Sequence, residues 1–411
     1  MRAEKTCIYN AHIILPEKEM KGSILIEGNR ISRVEEGAVP PAYGEAGVMM
    51  IDAAGCYVLP GLIDIHSDAI EKEMQPRPNT IFPIKMAFYE LEKKLAMSGI
   101  TTMYHSLSLS NEWGVRDKDM VIEIIAGINR LKKERAMINH KIHLRYELTF
   151  LEGVAILEKM IREKKIDLLS FMDHTPGQGQ YANAQSLKSF AMQTYGLAEK
   201  EAEATIDKSA ERRGKIDWPA LIALAKSAGE KGIRLASHDD DTEEKIEMLL
   251  ACAGAVSEFP VNLATALYAK SRGVRVCVGA PNIIRGKSHN GNMRAIEAIA
   301  GHAADIICSD YFPGSLLPSL FYLAGEGFKL TEAVKMATLN PAAALGIERE
   351  VGAVEAGKYA DLLIVELYRN YPIVRQTLVG GVTVYQANYR LGGVRSDRGQ
   401  GLRSCSGERY E

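Results

Sequence analysis

Eight short apolar runs mark the centre of this chain, and their spacing constrains the fold more than any other feature. They read GLIDIH (61–66), TTMYHS (101–106), IHLRYEL (142–148), IDLLSFMDH (166–174), IRLASHDD (233–240), AVSEF (255–259), VRVCVGAP (274–281) and DIICSDY (305–311). Segments with helical periodicity separate them. Strands alternating with helices pair in parallel, because a parallel partner is reached only through a long crossover. Eight such units is the count of an α/β protein of the TIM-like (β/α)8 barrel type. A doubly wound open sheet is the alternative, but no G-x-G-x-x-G opens a helix here.

Both flanks read differently. TCIYNAHIIL, GSILIEG and RISRVEE lie before the first run, and VGAVEAGKYADLLIVEL, YPIVRQTLV and GVTVYQ follow the last. These are short alternating strands with turn signals between them. The expectation is a barrel over 59–343 and a small β-sandwich built from both chain ends, 1–58 and 344–390. A polar helical insertion, Gly177 to about Trp218, follows the fourth run, and residues 391–411, rich in Gly, Ser and Arg, are expected to be disordered.

Composition narrows the partners. A formal net charge of −2 over 411 residues gives no general attraction to nucleic acid or an anionic membrane. Six cysteines are scattered without a CxxC pair, as in a reduced cytosolic protein. MRAEKTCIYN lacks a signal-peptide core, and no apolar run approaches the ~20 residues of a membrane helix. A cytoplasmic enzyme of a small molecule, alone or as a homo-oligomer, is expected.

The chemistry gathers at the ends of the runs. His66 and Asp68 close the first, Glu147 the third, His174 the fourth, His238 the fifth and Asp310 the last. In barrel enzymes these C-terminal strand ends converge on one mouth. Imidazoles and carboxylates from separate strands are the donors that a pair of divalent cations needs, zinc first and manganese as the alternative. Taken singly, each residue has a plainer role: a strand-end His at the surface, Asp310 as a helix cap, Glu147 paired with Arg145 on one strand face. Recurrence in phase favours metal binding. His12, His140, His143 and His302 fall outside the pattern and read as structural. His105 ends the second run, where it lines the mouth or packs, and packing is favoured.

LPGLIDIH followed by GITT, with ADLLIVE near the end, resembles the amidohydrolase superfamily. HSDAIEKEMQPRP, HLRYEL, MDHTPGQGQY, ASHDDDT, GAPNIIRGKSHNGN and SDYFPGSLL are similar to its phosphonate-metabolism branch. The resemblance implies a metal-bearing barrel joined to a small sandwich. It also implies hydrolysis of α-D-ribose 1-methylphosphonate 5-triphosphate, releasing diphosphate, within carbon–phosphorus lyase metabolism. The superfamily's usual His-x-His becomes His66-x-Asp68 here, and its bridging lysine has no evident counterpart, which leaves Glu147 as the candidate bridge. Asp310 would bind metal and relay the proton. An anionic triphosphate also needs cations. Arg77 and the stretch after the seventh run are the candidates; there Arg285, Lys287, Ser288 and His289 are donors, and Gly286 and Gly291 let the backbone approach a phosphate. That stretch reads as a loop, as does the Gly-rich HTPGQGQY, either a substrate loop or a turn. The rival readings are an amidohydrolase acting on a cyclic amide or N-acyl compound, and a non-catalytic barrel scaffold.

Overall fold

In a computed structural model of the chain, residues 4–37, 47–110, 114–179, 185, 188, 192, 198–288 and 292–389 are described. The tail from Leu391, His289, Gly291 and part of the 177–218 insertion lie outside them. Strands β1 (Lys5–Ile14), β2 (Glu19–Glu27), β3 (Arg30–Glu36), β4 (Val48–Asp52) and β5 (Tyr57–Pro60) open the chain. The central strands are β6 (Leu62–Ser67), β7 (Ile100–Leu109), β8 (Asn139–Glu147), β9 (Leu168–Met172), β10 (Arg234–His238), β11 (Val256–Glu258), β12 (Arg275–Gly279) and β13 (Ile306–Cys308). The chain then closes with β14 (Leu362–Tyr368), β15 (Tyr371–Val379) and β16 (Val382–Gln386).

The strands from β6 to β13 pair in chain order, each parallel to the next. A parallel bridge between Ser67 and Asp310 joins the two edges. There Asp310 N donates to His66 O and Asp68 N to Asp310 O, each at 3.0 Å, and Ser67 Oγ donates to Asp310 O at 2.7 Å. Barrel closure therefore runs through the motif at the end of the first strand.

Helices pack outside for the usual reason. Lys118–Glu134 buries Val121, Ile124, Ile125, Ile128 and Leu131, a stripe at three- and four-residue spacing. Asp117 caps it, accepting from Asp119 N at 2.9 Å and Met120 N at 3.4 Å. Burying five such side chains contributes about 1.5–3 kcal/mol each relative to exposure.

Inside the barrel a second apolar cluster forms the floor. Ile63, Ile65, Tyr104, Leu168, Ala236, Val256, Cys277, Ile306 and Cys308 build it, with Ala342, Leu345 and Val351 beneath. Strand β8 adds nothing to that cluster. Its alternate positions are His143, Arg145 and Glu147, and residues two apart share a strand face.

The sheet from both chain ends runs β16-β15-β14-β5-β1-β2-β3, with β4 paired to β1. It docks on the barrel through Asp361, which lies just before β14 and is 7% exposed. Gly61 N donates to its carbonyl at 2.8 Å, Gly380 N to Oδ1 at 2.7 Å and Asn139 Nδ2 to Oδ2 at 3.2 Å. Gly61 is required at that joint, because a Cβ there would lie 2.2 Å from Thr101 Oγ1. That is a physical reason for the glycine of LPGLIDIH.

Candidate metal centre

The C-terminal strand ends meet as the βα pattern predicts. His66 ends β6, and its ring lies 5.2 Å from that of His238 on β10 and 5.1 Å from that of His143 on β8. The His174 ring, just past β9, is 6.4 Å from that of His238. Two tight donor groups result. One is His66, His143 and Glu258; the other is His174, His238 and Asp239.

In the deeper group, His66 Nδ1 is 3.1 Å from Glu258 Oε1 and His143 Nε2 is 3.6 Å from Glu258 Oε2. Glu258 is fully buried, and neither of its oxygens makes a hydrogen bond among the described residues. His143 is tied further to Ser106 Oγ at 3.0 Å and Ser170 Oγ at 2.8 Å. In the outer group His238 Nδ1 is 3.0 Å from Asp239 Oδ2, close but without hydrogen-bond alignment. Glu147 Oε2 lies 3.0 Å from His174 Nδ1, and its Oε1 accepts from Thr149 Oγ1 at 3.1 Å. Glu147 thus meets His174 rather than Arg145.

Asp68 and Asp310 sit together at the seam. Asp68 Oδ1 is buried without a hydrogen bond, while its Oδ2 is 3.9 Å from both Lys72 Nζ and Arg116 Nη2. Asp310 takes a left-handed backbone, φ 56°, that turns it at the strand end, and its Oδ2 faces Gly279.

The electrostatics suit a cation. Burial, followed by the charge of Arg145, holds His66 and His238 well below the ordinary imidazole range, so both are neutral and carry a lone pair. Burial lowers His143 to about 3. Burial also acts to lower His174, but Glu147 beside it raises it overall. Burial pushes Glu258 up to about 7, and burial together with the Asp68 charge pushes Asp310 up to about 7. The neutral imidazoles of His66, His143 and His238 and the crowded carboxylates with unsatisfied oxygens are the donor set that divalent ions occupy.

The predicted phosphate-binding residues stand apart from these donors. Arg77 is exposed in a turn bridged to Thr80. Arg285 and Lys287 are exposed, and Arg285 Nη1 donates to Tyr311 Oη at 3.4 Å, next to Asp310. Ser288 is half-buried. The segment read as a loop begins as the helix Ala280–Arg285, ended by Gly286 at φ 67°. Of HTPGQGQY, Thr175–Gly179 folds back: Gly179 N donates to Asp241 Oδ2 at 2.8 Å, and Arg213 reaches Asp173 at 2.8 Å and Gln178 at 3.2 Å.

Of the histidines read as structural, His140 is, bonded to Glu92 at 3.1 Å and stacked on His105, which packs toward the helices. His12 pairs with Glu19. His143 instead sits in the centre, and with Glu258, Asp239 and Arg145 it makes up what strand-end reading missed. The signal for the first was the i, i+2 run His143-x-Arg145-x-Glu147.

The sequence profile of the amidohydrolase family matches residues 57–384. The chain belongs to the amidohydrolase family. It is accordingly a metal-dependent hydrolase, which sets aside the scaffold reading. Among relatives of this amidohydrolase, the α-D-ribose 1-methylphosphonate 5-triphosphate diphosphatase of Escherichia coli K12 is 31% identical over 374 residues, 89% of this chain and 96% of that one. An imidazolonepropionase of Thermoanaerobacter pseudethanolicus is 24% identical over 77% of this chain and 78% of that one. Among solved structures, N-acetylglucosamine-6-phosphate deacetylase from Pasteurella multocida matches with TM-score 0.59 at 13% identity, over 92% of this chain and 98% of that one. Dihydropyrimidinase from Brevibacillus agri matches at 0.61 and 14%, over 93% and 95%. These two share the fold. No helix among the described residues is long and apolar enough to cross a membrane.

Proposed function

We propose that this amidohydrolase cleaves α-D-ribose 1-methylphosphonate 5-triphosphate to the 5-phosphate and diphosphate, in phosphonate breakdown. The similarity to the E. coli diphosphatase, nearly end to end in both chains, carries the reading. His66, Asp68, Glu147, His174, His238 and Asp310 would hold two divalent cations, zinc or manganese. Bound there, such ions lower the pKa of a water and draw charge from the phosphoryl oxygens.

The chain's own groups do the rest. Asp310, beside Asp68 and Gly279, takes a proton as the water oxygen bonds to the α-phosphorus. The bond from that phosphorus to the bridging oxygen breaks, and diphosphate leaves with the electron pair. Arg77, Arg285, Lys287 and Ser288 meet the phosphate chain at the rim. Glu258 lies against His66, its Oε1 3.1 Å from Nδ1, and would back that imidazole as a ligand.

The test is incubation of metal-loaded protein with the ribose phosphonate triphosphate, nucleoside triphosphates and an imidazolone, followed by phosphorus NMR and ultraviolet absorbance. Diphosphate released from the ribose compound is expected. Imidazolone opening without diphosphate release would favour instead the cyclic-amide reading, which the imidazolonepropionase similarity supports.

A further inference from the structure

Arg145 is the one residue of the centre whose presence a metal site does not explain. It is 7% exposed, on the inner face of β8 between His143 and Glu147. A buried guanidinium ordinarily has a carboxylate against it, since an unpaired buried charge costs several kcal/mol. Here five carboxylates surround the cavity, yet Arg145 forms no ion pair with any carboxylate among the described residues. Its Nη1 donates to Ser108 Oγ at 3.4 Å and its Nη2 to His238 Nε2 at 3.1 Å, both neutral acceptors, and its buried Nε–H has no acceptor. Its charge nevertheless reaches His66, His238, Asp239, Glu258 and Asp310, so it stands between the two donor groups.

We infer that Arg145 is the anion-binding group of the centre, holding two non-bridging oxygens of the phosphoryl group under attack through its unpartnered Nε–H and a neighbouring Nη–H. The inference rests on the triphosphate reading above. A guanidinium fork matches two phosphoryl oxygens, which the three donors of a lysine do not. The rim cations cannot take this role, because Arg285 and Lys287 are exposed to solvent. The resulting division is by depth: Arg145 on the reacting phosphorus, the rim on the departing diphosphate. Arg145 would then gain strength as charge builds on the equatorial oxygens, which is the condition for raising kcat rather than only lowering KM.

The experiment compares wild type, R145M and R145K, each loaded with metal. It measures bound metal, kcat/KM on the triphosphate, and calorimetric affinity for inorganic diphosphate and orthophosphate. R145M should keep its metal, lose about 10²–10³-fold in kcat/KM as when one oxyanion donor is removed, and bind orthophosphate at least tenfold more weakly. Millimolar guanidinium should restore part of the R145M activity. R145K retains charge without the fork and serves if R145M does not fold; an intermediate loss with full metal content is expected. Wild-type kinetics and phosphate affinity in either variant overturn the assignment. So does a loss that matches lost metal, since Arg145 would then act only by holding His238. A wild type that binds phosphate through Arg145 but cleaves no triphosphate refutes the substrate reading and leaves the anion site standing.

Discussion

Replacing Asp361 with Asn should change how stability depends on pH, and the joint between sheet and barrel sets the size. Burial raises the Asp361 carboxyl to about 6 from 3.8, against smaller opposing effects of the hydrogen bonds from Gly380 and Asn139. A folded-state pKa above the unfolded one means that the native protein holds its proton longer. The stabilisation is therefore complete below about pH 4 and is lost as pH rises toward 6. Each pKa unit is 1.36 kcal/mol, so the loss is on the order of 3 kcal/mol. The amide of the D361N variant carries no charge and suffers no such loss. It keeps an acceptor for Gly380 N but turns its NH2 group on Asn139, a cost of about 1 kcal/mol that does not vary with pH. The difference in urea unfolding free energy, variant minus wild type, should thus shift in favour of the variant by up to about 3 kcal/mol between pH 4 and pH 6.5. Taking the difference cancels every other titrating group that the substitution leaves alone. A difference constant within 0.5 kcal/mol, a margin on the order of the error in such comparisons, would refute the argument.

Three further outcomes follow from the centre. Glu258→Gln keeps the volume but removes the buried charge behind His66, so metal affinity by competitive chelation should fall about 10–100-fold with the far-ultraviolet spectrum unchanged; undiminished affinity would remove Glu258 from the centre. Asp68→Asn should lower bound metal and turnover together, and full occupancy with normal kinetics would show that Asp68 holds no metal. The double variant Arg285→Ala/Lys287→Ala should lose about tenfold in kcat/KM on the triphosphate, an effect that shrinks as salt is added, because exposed charges are screened. Equal activity at low salt would move the phosphate chain away from that rim.

The barrel was legible because its evidence is periodic: each of the eight apolar runs overlaps one of the parallel strands. The centre was legible only where a candidate donor sits at the end of a clear strand run. His143 lies mid-strand, on an inner face that apolar content alone does not distinguish from a packing position. Glu258 closes a strand of three residues, too short for alternation to say which way it points. Asp239 follows His238 directly, and neighbours in a regular strand face opposite ways. Its left-handed backbone, φ 55°, turns it back toward the same cavity, and nothing in a run of three aspartates announces that. Arg145 enters the sequence reading only as the plainer partner for Glu147, because a sequence shows charge complementarity but not that His174 comes within 3.0 Å of Glu147. The start of the Arg285 segment reads as a loop in the sequence, whereas Pro281 at the helix start and Gly286 at its end are the signs of a short helix.

The seam between Ser67 and Asp310 has a consequence for synthesis. The two residues are 243 positions apart in the chain. At about 5–20 residues per second, a ribosome makes the second roughly 12–50 s after the first. Throughout that interval His66 and Asp68 have been translated without the residue that bonds to them across the seam, so no nascent chain short of Asp310 holds a finished seam. A message truncated anywhere before that codon yields a chain without the bridge that joins the two edge strands. The meeting of Asp68 with Asp310 and completion of the ring are one event in the life of the polypeptide.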